Sequence, residues 1–234
     1  MIRRLTLLWA VLASVPAAAG DIATRSILGF NADGSRFAFE EYGTADGSGF
    51  PYATIYVVDT ARDAWVPGTP IRIRLEDETK TVAEARAAAA ARARPLLPGL
   101  SSPGELVASN PISELSADPH RVRFVPRVVH PPVDPPITLE LTEHGLPSPS
   151  PYDEINGFRL VLKSGEATRL LHEDKAIPPS RGLPFNYRIA DVITYHPPVG
   201  TNAAPILVVL ILVLAKGFET PDGRYLAVAT RLAH

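Results

Sequence analysis

Glu40, Glu41, Asp46 and Tyr52 come closest, by residue type and spacing, to a binding site: three carboxylates and a phenol grouped around a glycine-rich loop, Gly43 to Pro51. Two adjacent carboxylates invite paired acid and base chemistry on a glycosidic or ester bond. Neighbours on a strand project to opposite faces, however, so Glu40 and Glu41 cannot converge on one bond without a bulge. The expected arrangement is one carboxylate towards solvent and the other paired with an arginine. Hydrolysis of envelope glycans or esters would need the fold to gather Glu40, Glu41, Asp46 and Asp153, and it stands as the alternative reading. A calcium-stabilised structural protein is a second alternative. Asn31, Asp33, Gly34 and Glu40 fall at the third, fifth, sixth and twelfth positions of an EF-hand-like loop. Gly29 occupies the first ligand position and no helix precedes it, while Phe37 and Phe39 alternate like a strand, so the hairpin-turn reading is preferred. A differently built calcium site would use Asp33, Glu40, Glu41 and Asp46.

Other reactive types are present without the pattern that chemistry requires. Ser48 lies between glycines but lacks the G-x-S-x-G spacing and the strand-to-helix setting of a nucleophile elbow. The six histidines, His120, His130, His144, His172, His196 and His234, form no H-x-H or H-E-x-x-H arrangement. The chain has no cysteine, which removes disulfides, thiol nucleophiles and thiolate metal sites. No Walker loop or dinucleotide fingerprint occurs, so no cofactor is assigned. The net charge of −2, without a basic run interleaved with aromatics, argues against nucleic acid as a partner.

The plainest functional signal is an address. Arg3 and Arg4 precede an apolar run, Leu5 to Val15, and Ala17 to Ala19 form a small-residue cleavage site, so residues 1–19 read as a cleaved secretory signal. The run is about half the roughly 20 residues a membrane helix needs. Cleavage after Ala19 leaves 21 basic against 25 acidic residues, a charge of −4. Ile206 to Ala215 is also too short to span a bilayer as a helix, and its β-branched content suits a strand buried on both faces. The expected product is a secreted or periplasmic protein with no stable membrane span.

The elements that must position any site are mostly strands. Ser26 to Phe30, Arg36 to Tyr42, Ala53 to Val58 and Ala64 to Val66 form a meander separated by turn residues. Ile71 to Leu75 alternates strictly, with two guanidinium groups on one face. Thr81 and Glu84 fit a capping box, and eight alanines between Ala83 and Ala93 predict a helix over 82–94. Its Arg86, Arg92 and Arg94 read as a solvated flank favourably placed in the helix dipole, in preference to an anion-binding face. Eight prolines between Pro126 and Pro151 mark a proline-rich excursion over about 95–151, suited to extended segments and edge strands. Strand patterns return at Ile137 to Thr142, Gly157 to Leu162, Ala167 to Leu171, Tyr187 to Tyr195, Ile206 to Lys216 and Arg224 to Arg231. Residues 20–234 are expected to form a single β-rich domain.

Gly29 to Phe39 echoes Gly217 to Val228, and both resemble the turn and strand of TolB-type propeller repeats. No such period runs through the middle of the chain. The expected fold is mainly β, with blade-like antiparallel meanders arranged as a propeller or a sandwich and one alanine-rich helix; the two Asp-Gly hairpins are expected to share one sheet system. The strings Phe37 to Gly43, Asp46 to Tyr52 and Val66 to Ile71 resemble a family of bacterial predicted secreted proteins, domain of unknown function 2259. That resemblance implies export and carries no catalytic residues. With no catalytic constellation, the reading is a non-enzymatic binding or protein-interaction module, with an envelope protein as its implied partner.

Overall fold

The computed structural model describes residues 20–149, 151–198, 200–201 and 203–232; the expected signal segment and His234 lie outside them. Thirteen strands and one α-helix follow in the order β1 Thr24–Phe30, β2 Arg36–Thr44, β3 Pro51–Asp59, β4 Ala64–Trp65, β5 Ile71–Arg74, α1 Val82–Ala93, β6 Glu105–Ser109, β7 Arg121–Phe124, β8 Ile137–Leu146, β9 Ile155–Ser164, β10 Ala167–Glu173, β11 Pro184–Tyr195, β12 Ile206–Ala215 and β13 Asp222–Arg231. They build three antiparallel sheets. The N-terminal sheet has the order β1-β2-β3-β4, with β5 also on β3; the outer sheet is β10-β9-β8-β7, and the central sheet is β13-β12-β11-β6.

Strand β12 dictates how the sheets stack. Ile206, Val208, Leu210 and Leu212 point to one side and pack with Phe37, Phe39 and Tyr56 of the N-terminal sheet. Leu207, Val209, Ile211 and Val213 point to the other and pack with Leu139, Leu141, Phe158 and Leu160 of the outer sheet. Both faces of the central sheet are therefore removed from water, as its uninterrupted apolar run requires. The N-terminal sheet is covered in turn on its far face. Ala85, Ala89 and Ala93 of α1, one above the other on the helix, lie against Ala38, Ala53, Ile55, Val57 and Ile71. Thr81 caps this helix through the capping box with Glu84. The order of layers is helix, N-terminal sheet, central sheet, outer sheet.

This is the sandwich form of the expected β architecture. The sheet that comes last in the chain sits between the other two, so the layers are stacked and do not follow one another around a ring. The two Asp-Gly segments, expected in one sheet system, belong to different sheets, because each strand pairs with its own hairpin partner; the isolated parallel bridge Ile22 to Gly223 is what joins them. The proline-rich stretch over 95–151 yields two short strands, β6 and β7, at the edges of the central and outer sheets, but also β8, which lies inside the outer sheet between β9 and β7 because its residues 137–146 contain no proline. Among the described residues, no helix is long and apolar enough to cross a membrane.

Leu210 is completely buried at the centre of the stack. Leu210→Ala is expected to lower the unfolding free energy by about 2–5 kcal/mol, measured by urea denaturation, because a core this tightly covered relaxes little around a cavity.

Candidate functional site

The N-terminal sheet overhangs the central one. Arg25 of β1 reaches Asp191 of β11, while Glu41 of β2 reaches the free edge of β13. The parts of that face on β3 and β5 therefore extend past the edge, and there it turns from aromatic to polar: Thr54, Arg72 and Arg74 follow Phe37 and Phe39. On the opposite side, Pro178, Ser180 and Arg181, just beyond β10, form a second wall. The cleft between the walls has a volume of about 470 Å³, with Tyr225 and Leu226 on its floor. Beyond Trp65, Arg181 and Leu226 it continues into a recess of about 270 Å³ beside Asp63, His172 and Ala227.

Acceptors from the overhanging sheet and its approach hold the edge of β13. The Gly223 N–H donates to the Asp21 carbonyl at 2.9 Å, the Tyr225 N–H to Glu41 Oε2 at 2.8 Å and the Ala229 N–H to Asp63 Oδ1 at 2.7 Å. Glu41 also accepts the Tyr56 hydroxyl at 2.6 Å. Burial outweighs these hydrogen bonds and the nearby Arg224 and Arg72, and raises the Glu41 carboxyl above its ordinary value. Burial likewise raises Asp63. The Tyr56 phenol is pushed well up by burial, with the Glu41 carboxylate adding to the effect.

Four guanidinium groups line the cleft, and their partners differ. Arg224 pairs with Asp21 and lies over the Tyr52 ring at 4.6 Å, while the Tyr52 hydroxyl donates to Asp21 at 2.7 Å. Arg181 donates to Asp174 Oδ2 at 2.6 Å. Burial would raise Asp174, but hydrogen bonds from His172, Arg181 and the Phe158 N–H together hold it below its usual range. Arg74 donates to the Ser48 hydroxyl at 2.9 Å and faces the Phe50 ring. Arg72 has no hydrogen bond or ion pair among the described residues. The two arginines of β5 thus bring positive charge to the cleft without a carboxylate partner. Its aromatic wall is the end of a series of stacked and tilted rings running from Tyr195 through Phe30, Phe37, Phe39 and Tyr56 to Trp65, successive ring centroids lying 4.6–6.0 Å apart.

Of the residues singled out from sequence, Glu41 and Tyr52 line this cleft. Glu40 points to the other face of the sheet, where it accepts from Arg86 of the helix; Arg86 also covers the Tyr42 ring at 4.0 Å. Asp46 sits in the turn after β2, accepting from the Gly47 N–H at 2.8 Å, and Asp153 pairs with Lys216 at 2.6 Å. The four carboxylates of the hydrolytic alternative are not gathered. Asp33 accepts from the Ser35 N–H in the β1–β2 turn. Among the described residues, no three His, Asp or Glu side chains gather to hold a metal ion. Sequence reasoning did not assign the cleft arginines, Tyr56, Trp65 or Tyr225 to a site. The alternation of Arg72 and Arg74 on one face was the usable signal, and no local pattern marks Arg181.

The family described as predicted secreted protein (DUF2259) matches residues 38–231, and the chain belongs to it. The match spans all three sheets. No curated protein and no solved structure matches the chain.

A raised Glu41 pKa means that folding favours the protonated carboxyl. The associated stability is fully present below the ordinary value of 4.5 and is lost as pH rises through the raised one. Glu41→Gln imitates the protonated group. Its unfolding midpoint in urea, relative to that of the wild type, is expected to rise between pH 4 and pH 8; a constant difference would contradict the assignment.

Proposed function

We propose that the protein is exported, loses residues 1–19 after Ala19, and acts outside the cytoplasmic membrane as a non-enzymatic binding protein for a small organic anion held in the cleft along β13. One observation carries the reading: Arg72 and Arg74 face a concave, aromatic-walled space with no carboxylate partner among the described residues. A guanidinium is always charged and presents donors in a fork suited to oxyanions, so two of them on one wall favour anionic ligands. Tyr56 and Trp65 offer flat apolar surface for the body of such a ligand. The carboxylates of the cleft and its recess, Glu41 and Asp63, hold backbone N–H groups of β13 four residues apart and do not converge on one bond, which supports recognition over glycosidic hydrolysis. The family description supports the address, and residues 20–234 acting as one β-rich domain are consistent with the three packed layers.

Two measurements test this. N-terminal sequencing of the exported protein is expected to begin at Gly20; retention of residues 1–19 would contradict the processing. Calorimetric titration with benzoate, citrate and inorganic phosphate is expected to reveal binding by at least one anion, weakened about tenfold or more in Arg72→Ala and Arg74→Ala. Equal binding of neutral analogues, or no binding by any anion at millimolar concentration, would overturn the reading.

A further inference from the structure

Strand β13 is the edge of the central sheet, and in an antiparallel ladder alternate residues turn both backbone groups away from the partner strand. Gly223, Tyr225 and Ala229 are such residues, and each outward N–H is held by an acceptor from elsewhere in the chain. Ala227 belongs to the same set by register, since it lies directly opposite Leu210 two residues from each neighbour. Its N–H has no hydrogen-bond partner among the described residues. It faces the recess formed with Asp63, Trp65, His172 and Arg181, a space continuous with the main cleft. One donor in the middle of the edge is thus left for something that enters the cleft.

We infer that the ligand presents a carboxylate and that this carboxylate accepts the Ala227 N–H; the inference rests on the cleft being the anion site proposed above. The flanking positions show which chemistry fits. Glu41 and Asp63 place carboxylate oxygens on the neighbouring outward donors at 2.8 and 2.7 Å, in the plane of the sheet. A ligand carboxylate at Ala227 repeats that contact midway between them. The two internal carboxylates act on donors about 7 Å away on either side at strand spacing, and burial raises both of them, which favours their neutral forms and lessens the like charge beside the ligand. The same geometry excludes the other obvious occupant of a sheet edge. A peptide adding as a further strand would need the Tyr225 and Ala229 donors, and both are taken. An end-on carboxylate needs a single donor. Its carrier then extends past Trp65 towards Tyr56 and the arginines of β5, which meet the face of its ring or a second anionic group, so the class of ligand is a small organic carboxylate with a flat apolar body.

Benzoate is the probe and benzamide its uncharged counterpart, used with the purified exported protein. Titration of ¹⁵N-labelled protein is expected to move the Ala227 amide proton downfield with benzoate and leave it in place with benzamide. Ala227→Pro removes this donor at an edge position where no ladder hydrogen bond is lost, and it is expected to weaken benzoate binding about tenfold or more. If that variant fails to fold, the amide shift alone decides. Binding of benzoate that depends on Arg72 but neither moves the Ala227 amide nor responds to Ala227→Pro would overturn this inference and leave the anion site standing. Binding of phosphate but not benzoate would overturn the carboxylate assignment alone. Absence of binding by any anion would remove the site and the inference together.

Discussion

A strand that is apolar on both faces has to be covered on both. With its alternate side chains sent into two separate cores, β12 forces the central sheet between two others. Burying a β-branched or leucine side chain stabilises by about 1.5–3 kcal/mol, and the eight residues Ile206 to Val213 are all buried, so no arrangement exposing either face competes. The layer order follows, and so does a difficulty. A sheet enclosed on its faces still ends in a strand whose outward N–H groups need partners, and an open edge invites pairing with other chains. Carboxylates of Glu41 and Asp63 and the Asp21 carbonyl answer this at β13. The groups that close the edge also define the space beside it.

Charge inside the stack is handled by pairing across layers. Arg25 joins the N-terminal sheet to Asp191 of the central one, and Asp191 also takes the Ser109 hydroxyl at 2.7 Å, so three strands share one carboxylate. Arg181 spans from Asp174 to the hydroxyl of Tyr187, whose pKa burial pushes up to about 12. A buried ion that loses its partner costs several kcal/mol, so these pairs oppose any shift of one layer against the next. His144 and His172 meet at the same residue, one on the Asp174 carbonyl and the other on its carboxylate. Against this background, Arg72 and Arg74 of β5 stand out within the cleft, whose other two arginines, Arg181 and Arg224, are each held by a carboxylate.

Much of the fold was legible in the sequence because its local rules were strong. The helix start at Thr81 and Glu84, the alternation in β5 and the doubly buried run of β12 each follow from side-chain period and capping chemistry that act within a few residues. Opposite faces for Glu40 and Glu41 followed from the strand period alone. The two edge strands β6 and β7 were not assigned, because short segments among prolines carry too little pattern. The placement of the two Asp-Gly segments in different sheets, one in the β1–β2 turn and the other opening β13, was also out of reach, since similar local strings give no information about which strand each one pairs with.

The candidate site divides in the same way. The sequence by itself determined a mainly β architecture and a strand bearing two arginines on one face, since composition and period set these locally. It also grouped Glu41 and Tyr52 as candidate binding residues on either side of one glycine-rich loop. Only the tertiary structure decided that Glu41 would cap β13, that Arg72 and Arg74 would overhang a cleft, and that Arg181, more than a hundred residues away in sequence, would face them. The physical reason is that a cleft between layers depends on how far one sheet extends past the edge of another. That offset is set by packing of the two cores, and no local spacing encodes it.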